Sequence, residues 1–144
     1  MYHHLKISAS LFTLIAAAFI SAPPSLSADG DHSPVEDAME SMQSAYRKVG
    51  RAMRKPEENA EQLLAWVQEM QVGAVAAKVM DIHIPNGMGS VEEVQKKYRM
   101  EMTRTVIALV KLEQALLAGD FEAAKAAFDK VKALKSEGHD TFKE

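Results

Sequence analysis

Toward the end of the chain, from Phe121 to Phe142, apolar residues recur at helical spacing: Phe121, Ala124, Phe128, Val131, Leu134, Gly138 and Phe142. At about 100° per residue, with Phe128 at the origin, Phe121 falls at about 20°, Val131 at about 300° and Phe142 at about 320°. Two residues that normally seek water fall in the same arc, His139 at about 20° and Lys135 at about 340°. A second narrow stripe lies early in the chain: Val35, Met39, Met42, Tyr46, Val49 and Met53. With Val35 at the origin, Met39 falls at about 40°, Met42 at about 340° and Tyr46 at about 20°. Imidazole and thioether are borderline and soft donors, suited to copper. As an opposed pair they are axial ligands for haem iron, a set associated with electron-transfer potentials.

Four helices are expected to carry these residues. Ser33-Pro34-Val35-Glu36 joins an N-cap, a proline at the first helical position and the glutamate of a capping box. Lys55-Pro56-Glu57-Glu58 is expected to end the first helix and start the second, which carries Ala60, Leu63, Leu64, Val67, Met70, Ala74 and Ala77 and fades near Met80. Ile82 to Gly89, with Pro85 and two glycines, reads as a loop. Ser90-Val91-Glu92-Glu93 is a second capping box, followed by Val94, Tyr98, Met102, Val106, Leu109, Leu112 and Leu116. Gly119 suits a left-handed helix terminus, and Asp120 suits the cap of the fourth helix. No segment alternates with the period of two that a strand requires. The short connections predict an all-α, antiparallel up-down-up-down four-helix bundle over residues 33–143.

In that topology the start of the first helix and the end of the fourth share one end of the bundle. Met39 lies five residues beyond Pro34, about 8 Å along the axis, and His139 four before Lys143, about 6 Å. A thioether and an imidazole can therefore face each other across one open end. Met42, on the same stripe, is the alternative thioether.

Composition narrows the rest. The chain has 144 residues, formal net charge −3, nine methionines and no cysteine. Without cysteine there is no disulfide, thiolate zinc site, iron–sulfur ligation or covalently attached haem. The mild acidity gives no basic stripe for nucleic acid. Met1 to Lys6 is short and weakly positive, Leu11 to Ile20 is uncharged and apolar, Pro23-Pro24 breaks it, and the small residues of SLSA follow. This reads as a signal peptide over residues 1–27, cleaved after Ser27 or Ala28, exporting a chain with no stable membrane anchor to the periplasm.

The segments VEDAMESMQSAYRKV, LLAGDFEAA and SEGHDTFK resemble the cytochrome b562 family, across essentially the whole chain from Ser33 to Lys143. The resemblance implies a periplasmic four-helix bundle that binds non-covalent haem b through an early methionine and a late histidine. By motif these are Met39, within EDAME, and His139, within GHDTF. The ending also looks like the cytochrome c′ attachment motif with Lys135 and Gly138 in the thiol positions, leaving coordination and packing to hold the haem. Met42, Tyr46, Tyr98, Met102 and Phe142 then form a polarizable wall, and Lys135 is placed to meet a haem propionate or to snorkel into solvent.

The leading expectation is thus an electron-transfer haemoprotein, not an enzyme, serving a periplasmic redox partner. A copper-handling protein using Met39, Met42, Met100, Met102 and His83 is the alternative, and a haem-free bundle that binds protein partners is a third. The histidines lack a tight spacing such as i, i+4, and Met100 and Met102 point two ways on a helix. The chain offers no Ser/His/Asp grouping, phosphate-binding glycine loop or Glu-x-x-His pair.

Overall fold

Local capping chemistry sets the boundaries of the helices. In the computed structural model, which describes residues 33–84 and 87–142, these are α1 (Pro34–Ala52), α2 (Ala60–Val79), α3 (Val91–Leu117) and α4 (Phe121–Phe142). The Ser33 hydroxyl accepts from the Glu36 N–H while the Glu36 carboxylate accepts from the Ser33 N–H, a complete capping box with Pro34 opening the helix. At α3 the box is only half made. The Ser90 hydroxyl accepts from the Glu93 N–H but donates to the Glu93 carboxylate, which therefore binds the hydroxyl. Gly119 takes φ 68°, and Asp120 Oδ1 accepts from the Ala123 N–H at 3.0 Å. The expected signal segment and its cleavage site, Pro85, Asn86 and Lys143 lie outside the described residues.

One boundary differs from the sequence reading. Pro56 does not open α2; it is buried in the turn between helices, and α2 begins four residues later at Ala60. The Asn59 side chain donates back to the Lys55 carbonyl at 2.7 Å, closing that turn instead of capping the helix. Burial of the proline ring outweighs its preference for a first helical turn.

The described residues contain four helices and no strand, an all-α fold consistent with a four-helix bundle. Their inward stripes meet in one core that includes Ala45, Val49, Leu63, Val67, Met70, Leu109, Leu112, Phe128 and Leu134. α1 packs on α2, α2 on α3 and α3 on α4. The contacts fix a register. Lys48 meets Glu69, and Met42 lies against Gly73. Gln68 and Gln71 donate to Glu113, and the Tyr98 hydroxyl donates to the Ala77 carbonyl. Arg104 pairs with Glu137, and Tyr98 meets Phe142 edge-on. Within each pair of neighbours, rising numbers on one helix meet falling numbers on the next. No helix among the described residues is long and apolar enough to cross a membrane.

Candidate functional site

α1 and α4 meet differently from the other neighbours. No Cα of α1 lies within 8 Å of a Cα of α4, although each of the other adjacent pairs approaches that closely. Large side chains bridge the gap. The rings of Tyr46 and Phe128 stand 5.5 Å apart, and the Lys135 ammonium lies 5.2 Å from the centre of the Tyr46 ring. Gly50 also faces the Phe128 ring. Lys135 is half-buried, so its methylenes pack while its charge rests on an aromatic face.

This register sets the levels of Met39 and His139. Tyr46 touches both Phe128 and Lys135, and so lies between them along the axis. Met39 is seven residues before Tyr46, and His139 is seven to eight beyond that midpoint; both distances are about 11 Å. Following the other contacts around the bundle, the level of Met39 is that of Ala76 on α2 and of the last three turns of α4, since the Tyr98–Ala77 and Gln71–Glu113 pairs differ in register by several residues. His139 falls within that stretch.

The rotation of α1 separates the two candidate methionines. Met42 shares a face with Ala38, Ala45 and Val49, and its Cβ lies 3.2 Å from where Gly73 of α2 would carry one. Met39 lies two helical turns from Tyr46 on the face that meets α4. Both are half-buried against the core. Tyr98 is buried at the same level, with its ring edge-on to Phe142 at 5.8 Å, and Met102 is buried one turn below. Burial pushes the Tyr98 hydroxyl pKa up to about 12, since the phenolate is poorly solvated there. On the far side of the bundle, hydrogen bonds from Gln68 and Gln71 lower the Glu113 pKa.

His139 departs from expectation. It is exposed, where the helical wheel placed it inside the apolar arc. The buried stripe of α4 runs through Ala124, Phe128, Val131 and Leu134, and its centre lies about 60° from Phe128, on the side away from His139. The imidazole is thus at the edge of the stripe in the last helical turn.

The surroundings suit a flat apolar group. In the middle of the core Ala45 and Val49 are fully buried, and at the end away from Met39 Leu64, Trp66, Ala115 and Phe121 are partly buried. Toward the Met39 end, Val35, Ala38, Met39, Met42, Ile82 and Phe142 remain only partly buried against it. A thioether and an imidazole at one level beside half-covered apolar side chains match the donors and the wall that haem needs. The copper set does not converge. Met102 is buried, Met100 on the same helix is 59% exposed, and His83 is exposed in the connection between α2 and α3. Among the described residues, no group of three or more His, Cys, Asp or Glu could hold a metal ion. Helical periodicity passes over Gly73; a glycine inside an otherwise apolar helical run is the signal that marks it.

Compared with known families, residues 34–143 fit the family model described as Cytochrome b562. No curated protein and no solved structure matches the chain.

Proposed function

This chain belongs to the cytochrome b562 family, and on that premise we propose that it is a periplasmic electron carrier binding one non-covalent haem b through Met39 and His139. Family membership carries the coarser statement, a haem-binding electron-transfer protein. The observation that supports this ligand pair is the common level of Met39 and His139 where the backbones of α1 and α4 stand apart.

Haem supplies one-electron chemistry at its iron, and the chain supplies ligands, burial and orientation. Met39 and His139 would both hold the haem iron, and a group held by two protein side chains would favour electron transfer over catalysis. Met42 belongs to the α2-facing stripe and serves as wall, with Tyr98, Met102 and Phe142. The Tyr98 hydroxyl is committed to the Ala77 carbonyl at 3.0 Å and holds the ring in place. Lys135, one turn before His139, favours the haem carboxylates by its charge. The signal-like residues 1–27 support export, and the exposed position of His139 supports exchange with a periplasmic redox partner at this end.

The test is a haemin titration of the purified chain followed by visible spectroscopy. The parent gives a low-spin spectrum. Met39→Ala and His139→Ala each abolish that spectrum, whereas Met42→Ala keeps it. A flat titration sinks the haem assignment, and a low-spin spectrum lost only in Met42→Ala exchanges the ligand.

A further inference from the structure

We infer that Gly73 is a positioning residue for Met39, acting through the close approach of α1 to α2; the inference rests on the haem reading above. A Cβ added to Gly73 would lie 3.1 Å from the Ala38 carbonyl oxygen, 3.2 Å from the Met42 Cβ and 3.7 Å from the Met42 Cα. Two of these atoms are α1 backbone and the third is a Cβ fixed to it. No side chain can swing away to make room, so α1 itself has to move.

The other α-helical glycines lack this constraint. At Gly50 the nearest atoms belong to the Phe128 ring, at 3.6 Å and 3.7 Å, and at Gly138 nothing lies within 4 Å. Glycine weakens a helix interior, and at position 73 it permits a contact that alanine would crowd. Ala38 and Met42 bracket Met39 within little more than one turn, so whatever displaces them displaces the thioether. The same docking draws this part of α1 toward α2, while Tyr46, Phe128 and Lys135 hold α1 and α4 apart. Packed helix axes lie about 8–10 Å apart according to the side chains between them. A large residue at position 73 therefore shifts α1 by up to about 2 Å, beyond the roughly 0.5 Å within which a binding constellation has to be held.

The experiment compares Gly73→Ala, Gly73→Leu and the control Gly50→Ala in the whole chain. Gly73→Leu lowers haem affinity by about 10- to 100-fold and turns the low-spin spectrum partly high-spin, as loss of the sulfur ligand does. Gly73→Ala moves both readouts the same way but less, and Gly50→Ala moves neither. Because the chain has no cysteine, spin labels at Glu40→Cys and Asp140→Cys report the α1–α4 distance without haem; Gly73→Leu shifts it and Gly50→Ala does not. A folded Gly73→Leu with parental affinity, spin state and label distance overturns the inference. Should that variant fail to fold, unchanged affinity and label distance in Gly73→Ala overturn it instead. A parent that binds no haemin refutes the haem reading, and the label distance then decides the role of Gly73 alone.

Discussion

Replacing Tyr98 by phenylalanine should change stability in a direction that reverses with pH. The hydroxyl donates to the Ala77 carbonyl at 3.0 Å, and its removal costs about 0.5–1.5 kcal/mol at neutral pH. The lower half of that range is expected, because the same carbonyl also accepts from the Met80 N–H at 3.2 Å and is not orphaned. Alkaline solution reverses the order. The folded-state pKa is about 12 against the ordinary tyrosine value of 10.0, so between these values the native chain keeps a proton that the unfolded chain releases. Stability from this group is fully present below about pH 10 and falls as pH rises toward 12. Two pH units at about 1.4 kcal/mol each amount to a loss of about 3 kcal/mol. The parent starts about 1 kcal/mol above Tyr98→Phe and sinks below it at about pH 11. Urea melts of both haem-free proteins between about pH 8 and 12 measure the difference directly, and titrations common to the two cancel. A difference that stays constant across that range refutes the burial of the hydroxyl as its cause.

Phe128 is 2% exposed and joins α1 to α4 through Tyr46, so Phe128→Ala should destabilise the haem-free protein by about 3–5 kcal/mol; a loss under about 1 kcal/mol in a urea melt would show that the site collapses freely. Asp120→Ala removes the side-chain cap of α4 and should lower stability by about 1 kcal/mol with an unchanged urea slope; an unshifted midpoint would mean that the Ala123 N–H finds water at no loss. Met39→Ala and His139→Ala should each remove the low-spin spectrum while the haem-free fold persists, as circular dichroism would report. Unfolding of either variant without haem would give these residues a structural role in place of a ligand role.

Much of the fold is legible in the sequence because its signals are local. Ser33, Pro34 and Glu36 form the box their spacing predicts, Gly119 adopts the left-handed turn, and Asp120 caps the helix after it. The cross-chain outcomes are less legible. Pro56 has the chemistry of a helix start but is buried in the turn, because tertiary contacts outweigh a local preference. The candidate site divides the same way. Tyr98 and Met102 are buried where the apolar period puts them, while His139 lies at the exposed edge of its helix because the buried stripe is centred away from it.

The sequence by itself determined four helices and, through its lack of cysteine, excluded covalently attached haem; a thioether and an imidazole at matched depth are its expectation for the site. The family resemblance favours Met39, but periodicity alone could not choose between Met39 and Met42. They stand only about 60° apart on one helix, and periodicity gives direction relative to that helix alone. Tertiary structure decided which neighbour each one meets. With no side chain at Gly73, α1 seats Ala38 and Met42 against α2, and the face bearing Met39 and Tyr46 turns toward α4. That choice depends on the steric fit of two backbones, which no period along one chain encodes.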